Sequence, residues 1–403
     1  MVGSIPGRHA HIAMNAIASW SATTGLAEAA RRSAVAAKRA GVDIAIQDVK
    51  YWAPTSSGRF PPELQKLPRG RPHEVDVYFL NVNEIEEALK DYEWAGGATH
   101  YRIGSWFWEL GSLPNRLFGA MQSMDEIWVP TTFVRDAFLQ QGARVVTTIP
   151  CVVEPVAQTG MARSDFGLPP RGCLFLFHFD AHSTFARKNP FGLIEAFRRA
   201  FGSGSPRTTD VRLVMKVLNL DRVPEAREML LTALDIVGGV LIESEMSSPE
   251  VGALLACCDV YASLHRAEGF GLGIAEAMYF RKPVIATAFS GPCDFMTPRN
   301  SCMVGYRPRT ITAGDLYLNP GMERIYEPGR SWAEPDVGQA ARWMRWLAAR
   351  PTERRRIGGV AHETVRTLFS SVTVGTAIRS RLKQIAATSD SSSRGRARHE
   401  IVT

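Results

Sequence analysis

Short apolar runs alternate with amphipathic stretches along almost the whole of this 403-residue chain. The run at 174–179 is too apolar for an edge strand, so we expect it to be buried on both faces of a sheet. The stretch at 189–201 has apolar residues at helical spacing and Pro190 at an early helical position. Such alternation is typical of α/β units. The sequence therefore predicts an α/β fold built on parallel sheets.

The predicted elements form two series that meet near residue 155. The first series has a helix at 26–40 and strands at 11–17, 42–49, 75–81, 101–106, 126–129 and 145–149. The second has helices at 189–201, 225–234, 249–257 and 273–280, and strands at 174–179, 211–218, 240–243, 260–264 and 284–287. A chain of this length suits two domains better than one core. We therefore predict two Rossmann-like halves.

The limits of these domains are set from the same pattern. The N-terminal domain is expected to span residues 1–155 and the C-terminal domain residues 156–370. A helix at 371–388 is expected to return to the N-terminal domain. The last residues, 389–403, are rich in serine and arginine, which predicts a disordered tail.

Composition excludes several classes of protein. No apolar run approaches the roughly 20 residues that a membrane span needs, and the N-terminus has no pattern of a secretory signal. The six cysteines form no Cys-x-x-Cys pair and have no histidine cluster at metal-ligand spacing. Reduced, buried thiols in a cytoplasmic protein are therefore expected.

The net charge of +7 suits a protein that binds polyanionic ligands or lies near anionic lipid, although solubility alone also explains it. Nucleic acid is not an expected partner, because no motif for binding it accompanies the basic residues. Four cations on the first predicted helix suit contact with lipid or a lipid-linked acceptor: Arg31, Arg32, Lys38 and Arg39. A plainly solvated helix face explains them equally well.

Residues 265–276 carry the strongest functional pattern in the chain. They follow a predicted buried strand and open a helix, and ligands of parallel sheets bind beyond the carboxyl ends of strands. Gly269, Gly271 and Gly273 allow the backbone to approach a bulky group, and the helix start offers free N–H groups. This combination predicts a phosphate-binding turn.

Two carboxylates flank that turn. Glu268 precedes the helix, and Glu276 is expected in its first turn, where the helix dipole favours a carboxylate. Carboxylates also accept hydrogen bonds from sugar hydroxyls. Each residue alone is explained by a tight turn or a helix-start charge, but both carboxylates beside a glycine-rich turn after a strand favour a ligand site.

The segment 268–276 resembles the E-x7-E motif of glycosyltransferase family 4, whose members are retaining enzymes with the GT-B fold. Further segments that resemble this family lie at 25–31, 103–110, 125–130, 183–190, 290–291 and 332–336. Together they resemble members that build bacterial surface polysaccharides. The resemblance implies two Rossmann-like domains facing each other across a cleft, with the acceptor on the N-terminal domain and the nucleotide-sugar donor on the C-terminal domain.

The resemblance also implies roles for particular residues. Arg187 and Lys188 match the basic pair that binds the donor diphosphate, Glu276 the carboxylate that holds the ribose, and Glu268 the carboxylate near the transferred sugar. Glu268, Arg187 and Lys188 are thus the candidate catalytic residues. Lys216, at a strand end, is a candidate second cation. The other candidate donor-binding residues are Ser183, His265, Gly269, Phe270, Gly271 and Leu272.

The N-terminal domain departs from the family pattern. Many members have a catalytic-site histidine on a loop of this domain, but His100 precedes a predicted strand instead of following one. Asn81 and Asn83 follow a strand end and are expected to face the cleft, together with Gly25 of the first loop. Trp106 and Trp108, with Glu109, lie near the expected cleft. The two tryptophans could stack on a sugar there, but packing in the core is the favoured interpretation.

The predicted function is transfer of a hexosyl group, with mannosyl as one candidate, from a nucleotide-diphosphate sugar to a saccharide or lipid-linked acceptor of a surface glycan. The anomeric configuration would be retained. No metal or other cofactor is expected to be required, because Asp-x-Asp is absent and the protein's cations can stabilise the diphosphate. The expected location is the cytoplasm, with peripheral contact to the inner face of the cytoplasmic membrane left open.

Two alternatives remain at this point. One is another enzyme of the GT-B fold, a phosphorylase or a sugar-nucleotide epimerase. The other is a non-catalytic homologue that binds nucleotide within a polysaccharide assembly complex, which the unplaced histidine favours.

Overall fold

The computed structural model describes residues 12–22, 24–49, 62–82, 84–85, 100–203 and 211–399, with only the backbone described for 389–399. The N-terminal sheet has six parallel strands in the order β2-β1-β3-β4-β5-β6. They are β1 Ala13–Ala18, β2 Asp43–Asp48, β3 Val75–Tyr78, β4 Tyr101–Ser105, β5 Glu126–Val129 and β6 Val146–Thr148. The helices among them are α1 Gly25–Arg39, α2 Pro62–Gln65, α3 Phe118–Gln122 and α4 Thr132–Gln140.

The second sheet also has six parallel strands, in the order β12-β11-β10-β7-β8-β9. They are β7 Cys173–Asp180, β8 Val211–Leu218, β9 Val240–Ile242, β10 Val260–Ser263, β11 Val284–Thr287 and β12 Cys302–Val304. The helices of this region are α5 Phe185–Lys188, α6 Pro190–Phe201, α7 Pro224–Ile236, α8 Ser248–Cys257 and α9 Leu272–Tyr279. Strand β7 is central and its Leu174, Phe175 and Leu176 are fully buried, as its apolar sequence predicts.

An antiparallel hairpin follows the second sheet. It pairs β13 Tyr306–Thr310 with β14 Ser331–Pro335 and encloses the short helix α10 Ala313–Leu316. We call residues 311–330 the strap. Two of its side chains, Leu316 and Tyr326, belong to the same buried apolar cluster as Leu110 and Leu113 of the N-terminal domain. The strap therefore packs across both domains.

The chain ends in three helices, α11 Val337–Ala348, α12 Pro351–Phe369 and α13 Ser371–His399. Helix α13 packs on α1, and its Val374 and Ile378 lie in the apolar core of the N-terminal domain. Arg381 of α13 donates two hydrogen bonds to the buried Glu126 carboxylate, at 2.8 and 2.9 Å. The last helix thus returns to the first domain.

The expectation of two Rossmann-like α/β halves with parallel sheets is confirmed, whereas the exact domain limits stay predictions. Helix α13 continues to His399, and residues 389–399 contain no proline that would remove the N–H groups a helix needs. The disordered tail expected at 389–403 stays a prediction. Strand β12 was not predicted because it has only three residues, and the hairpin was not predicted because its strands are polar at many positions.

Two expectations about surface and thiols can also be checked. Arg31 and Arg32 of α1 are largely buried and paired with Glu28, so the basic face proposed for lipid contact shrinks to Lys38 and Arg39. Four thiols are buried as expected, but Cys257 is half-buried and Cys293 is exposed. No helix in the described ranges has both the length and the apolar character needed to cross a membrane.

Two adjacent glycines of α12 test the packing of this helix. A Cβ on Gly358 would lie 1.9 Å from the carbonyl oxygen of Arg281, whereas one on Gly359 would meet nothing within 4 Å. We expect Gly358→Ala to lower the free energy of unfolding by about 1–3 kcal/mol through overpacking. Gly359→Ala is the matched control and should raise it by about 0.5–1 kcal/mol, because alanine favours helix. Equal effects in denaturant titrations would contradict this packing.

Candidate functional site

The predicted donor residues gather at the point where the order of the second sheet reverses. From β7 the chain continues to β8 and β9 on one side, and β10 and β11 then lie on the other side of β7. The loops after β7 and β10 therefore diverge at the carboxyl edge of the sheet and leave a crevice, which is where open α/β sheets bind ligands. Arg187 and Lys188 come from the short helix α5 in the connection after β7, and Glu268 comes from the loop after β10.

The glycine-rich turn has the geometry that its sequence predicts. Gly271 has φ +87° at the N-cap of α9, a conformation that residues with a Cβ rarely adopt. A Cβ on Gly273 would lie 2.6 Å from the hydroxyl of Tyr261 and 3.0 Å from the ring of His178. Helix α9 begins at Leu272, and the N–H groups of its first turn have no partner within the helix.

Gly269 meets the other domain. A Cβ on Gly269 would lie 2.8 Å from the carbonyl oxygen of Trp108, and Thr131 donates its hydroxyl to the Gly269 carbonyl at 2.9 Å. The missing side chain at this position therefore allows the N-terminal domain to pack on the turn. Phe270 is buried against Phe295 and Phe369, so its side chain belongs to the core.

The loop after β11 fixes the backbone of Glu268. Glu268 donates its N–H to the Ser290 hydroxyl, and Gly291 donates its N–H to the Glu268 carbonyl, both at 2.9 Å. Ser290 has φ +64°, a strained conformation for a residue with a side chain. A Cβ on Gly291 would lie 2.1 Å from the carbonyl oxygen of Gly269. The Ser-Gly pair at 290–291 thus holds the glycine-rich turn in place by hydrogen bonds and close backbone packing.

Glu268 lies between the two predicted cations. Its Oε1 pairs with Nζ of Lys188, and its Oε2 lies 3.3 Å from Nη1 of Arg187. Arg187 is 3% exposed and also donates to the carbonyls of Ala267 and Ser183, at 2.9 and 3.1 Å. The structure therefore brings together all three candidate catalytic residues, and Ser183 contributes a backbone carbonyl.

Burial and charge act in opposite directions on this cluster. Burial disfavours ionisation of Glu268, but the charges of Lys188 and Arg187 lower its pKa to about 2. Burial also lowers the pKa of Lys188, and Glu268 opposes that shift. The carboxylate is therefore ionised at neutral pH in a site that holds two cations.

The backbone that carries Arg187 and Lys188 is unusual on both sides. Thr184 before them has φ +72°, and Asn189 after them has φ +55°. Asn189 caps α6 through its Oδ1, which accepts from the N–H of Gly192 at 3.2 Å, and its Nδ2 donates to the carbonyl of Leu264 at 2.8 Å. This bridge between the loops after β7 and β10 fixes the two cations beside Glu268.

Glu276 lies in the second turn of α9, because the helix begins at Leu272. The expectation that it lies in the first turn is wrong, so the helix dipole favours it less than the sequence argument assumed. Its Oε1 accepts a hydrogen bond from Nη1 of Arg32 in the N-terminal domain at 2.9 Å. Burial raises the pKa of Glu276, and Arg32 opposes that rise.

Lys216 lies beside a residue that sequence reasoning missed. Lys216 on β8 pairs in register with His178 on β7. Lys216 Nζ and His178 Nδ1 are buried and make no hydrogen bond within the described part of the chain. Burial and the charges of Lys188 and Lys216 lower the pKa of His178 to about 4. A histidine that interrupts an otherwise apolar strand was the available signal.

His265 has a different place. It is fully buried beneath the turn, where Nδ1 lies 3.2 Å from the hydroxyl of Ser263 and Nε2 lies 3.3 Å from the carbonyl oxygen of Phe289. Burial lowers its pKa to about 4. These contacts describe a neutral histidine that supports the loops after β10 and β11 from below.

The N-terminal candidates lie at the matching crevice of the first sheet, where the strand order reverses between β1 and β3. Gly25 is the first residue of α1, which Thr24 caps by accepting from the N–H of Ala27. Asn81 follows β3, but its Oδ1 accepts from the N–H of Phe107 at 3.2 Å and so braces the loop after β4. Asn83 lies outside the described residues.

The N-terminal domain supplies two further features near the cations. Trp106 and Trp108 are buried core residues, as favoured above. Glu109 accepts a hydrogen bond at 3.3 Å from the hydroxyl of Tyr326 in the strap, and the Tyr326 ring centre lies 5.9 Å from Cζ of Arg187. Among the described side chains, no group of three or more His, Cys, Asp and Glu is placed to hold a metal ion.

Comparison with known proteins fits this arrangement. Residues 181–306, which contain Arg187, Lys188, Glu268 and Glu276, match the family model described as "Glycosyl transferases group 1". No curated protein compared with the chain matches it in sequence. This region is therefore similar to group 1 glycosyltransferases.

Solved structures extend the likeness to the whole fold. Alr3699/HepE of Anabaena, in complex with UDP-glucose, has 15% identity and a TM-score of 0.64 over 93% of this chain and 100% of its own. Sucrose-phosphate synthase of Thermosynechococcus elongatus has 14% identity and a TM-score of 0.64, over 94% of this chain and 100% of its own. A glycosyltransferase of Rickettsia africae has 14% identity and a TM-score of 0.59, over 93% of this chain and 98% of its own. At these identities the likeness establishes the fold, and the expected GT-B architecture is confirmed.

The ionic cluster predicts an acid-dependent stability. A carboxylate whose pKa is lowered to about 2 stabilises the fold above its unfolded pKa, near 4.5, and loses that contribution as pH falls between these values. We expect Glu268→Gln to remove on the order of 3 kcal/mol near neutral pH, and the difference from wild type to shrink toward pH 2.

Glu195 provides the matched control for this prediction. Its pKa is also lowered to about 2, by hydrogen bonds from Arg198 and Arg199, but its side chain is 33% exposed. Solvent screening should limit the effect of Glu195→Gln to less than about 1 kcal/mol. Denaturant titrations from pH 7 to pH 3 measure both variants, and a constant difference between Glu268→Gln and wild type would contradict the ionised cluster.

Proposed function

We propose that this protein transfers a sugar from a nucleotide-diphosphate sugar to a saccharide or lipid-linked acceptor, with retention of the anomeric configuration. One observation carries the proposal: Glu268 is held between Lys188 and Arg187 at the reversal point of the second sheet, beside the first turn of α9. Cations and free N–H groups at such an edge suit a diphosphate, and a carboxylate beside them suits sugar hydroxyls.

In the proposed reaction, the diphosphate is the leaving group and its growing negative charge must be stabilised. Lys188 would exchange part of its interaction with Glu268 for a phosphate oxygen, and the N–H groups at the start of α9 would donate to the same diphosphate. Arg187 is already fixed by two backbone carbonyls, so it contributes charge without reorganising. Catalysis is then mainly positioning and electrostatic stabilisation.

Lys216 and His178 support the same assignment. Both have a buried nitrogen without a hydrogen-bond partner in the described residues. Such atoms are costly unless a ligand or water pairs with them. An anionic donor bound at the carboxyl ends of β7 and β8 would supply that partner. Ser183 lies on the same loop as Lys188 and extends the proposed donor site.

The solved structures suggest which donor to test first. Alr3699/HepE was solved with UDP and with UDP-glucose, so UDP-hexoses are the first candidates for this chain, followed by GDP-mannose. The proposed acceptor is a precursor of a surface glycan, assembled in the cytoplasm or at the inner face of the cytoplasmic membrane. Burial of Arg31 and Arg32 leaves α1 with little basic surface for that membrane.

Product analysis separates the proposed reaction from its alternatives. Transfer gives a new glycoside and nucleoside diphosphate, and proton NMR of the anomeric signal shows whether the configuration is retained. Consumption of inorganic phosphate would indicate a phosphorylase, and a changed donor sugar without acceptor an epimerase. Binding without turnover across a broad acceptor panel would indicate a non-catalytic homologue. If no nucleotide sugar in the panel binds, the proposal is wrong.

Lys188 gives the most direct test of the proposed donor site. We expect Lys188→Ala to weaken binding of a nucleoside diphosphate by about 1.5–3 kcal/mol, the value of a charged hydrogen bond. Lys282 is the control, because it lies beyond the opposite end of α9, where its ammonium donates to the carbonyl of Ala256 in α8. Isothermal titration calorimetry with UDP, GDP and ADP measures both, and equal affinity in the two variants would remove Lys188 from the site.

A further inference from the structure

Arg32 is a cation of the N-terminal domain that reaches into the proposed donor site. It lies in α1, and its Nη1 donates to Oε1 of Glu276 in α9 at 2.9 Å. Its Nε donates to Oε1 of Glu28 at 2.8 Å. The Arg32 and Glu276 side chains are 14% and 10% exposed, so this ion pair between the domains is largely shielded from solvent. Nothing in the sequence resemblance assigned a role to Arg32.

The geometry leaves part of Glu276 available. Arg32 binds one carboxylate oxygen, and Oε2 has no hydrogen-bond partner among the described residues. A carboxylate can accept about four hydrogen bonds, so a guanidinium on one oxygen leaves room for hydroxyl groups on the other. The ion pair thus fixes the position of the Glu276 carboxylate and leaves one of its oxygens able to accept further hydrogen bonds.

We propose that Arg32 is a positioning residue for the nucleotide, which orients Glu276 so that the free carboxylate oxygen accepts a ribose hydroxyl. This inference rests on the proposed function and deepens it, because it makes the N-terminal domain part of the donor site. Nucleotide binding would then depend on both domains being together.

The ion pair between Arg32 and Glu276 is not needed merely to hold the two domains together. Other bonds join the domains independently of Arg32: Thr132 donates its N–H and its hydroxyl to Asp294, at 2.6 and 2.7 Å, and Arg330 donates to Ser112 at 2.8 Å. Loss of Arg32 should therefore leave the domains in contact and change mainly the state of Glu276.

The titratable groups around Glu276 determine how its ionisation, and with it the proposed nucleotide binding, depends on pH. Burial raises the pKa of Glu276, Arg32 lowers it, and Glu28 raises it. The other titratable groups that interact with it are Tyr261 on β10 and Cys151 after β6, both neutral near pH 7 because burial raises the pKa of each. Arg32 is the only cation in this set. Without it the pKa of Glu276 rises further, and a protonated carboxyl binds the ribose less well.

The test compares binding of UDP, GDP and ADP by calorimetry between pH 6 and pH 9. We expect Arg32→Ala to weaken binding about 10-fold or more at pH 7, with a smaller loss at higher pH as Glu276 ionises. Arg32→Lys should recover part of the affinity. Arg39→Ala is the matched control, because Arg39 lies in the same helix but is 58% exposed and pairs with Glu63.

A double-variant cycle measures the coupling between Arg32 and Glu276 in nucleotide binding. In a Glu276→Gln background, removal of Arg32 should have little further effect on binding, and that effect should no longer change with pH. Three results would overturn the inference: Arg32→Ala binding like Arg39→Ala, tighter binding in Arg32→Ala, or a loss that does not change with pH. If wild type binds no nucleotide, the proposed function fails and this inference fails with it, which is a different result from equal binding in the two arginine variants.

Discussion

The ion pairs of Glu268 with Lys188 and Arg187 are the interaction on which the site depends. These charges lie in a crevice where solvent reaches little of them, and a buried charge without a partner is strongly destabilising. The loops after β7, β10 and β11 must therefore hold their backbones in fixed positions. The strained residues Thr184 and Ser290 lie in those loops, which places backbone strain where the charged groups have to meet.

A second constraint is the close approach of the two domains. Gly269 has no side chain where the backbone of Trp108 packs on it, and the strap places Tyr326 between Arg187 and Glu109. The turn that begins the proposed phosphate site is thus also the surface on which the N-terminal domain rests. Occupancy of the site and the arrangement of the domains are therefore expected to be linked, because they use the same few residues.

Sequence reasoning predicted most of the C-terminal domain because local signals there agree. Strand β7, the Pro190 helix start and the positive φ of Gly271 each follow from residue type. The pairing of Arg32 with Glu276 was not predictable, since the two residues are distant in sequence and their contact depends on how the domains meet. His178 was missed because its place beside Lys216 depends on the pairing of β7 with β8, which the sequence does not show. Asn81 was placed at the right strand end, but its side chain braces a loop.

The balance of charge in the crevice favours an anion as its missing component. Lys188 and Arg187 pair with Glu268, and Lys216 lies on β8 in register with His178 on β7. Lys216 has no hydrogen bond in the described residues, and burial lowers its pKa. Protonation of Lys216 is therefore incompletely compensated in the ligand-free protein. The carboxylates of Asp180 and Glu245 oppose that shift, and a bound diphosphate would act in the same direction, because a negative charge stabilises the protonated amine.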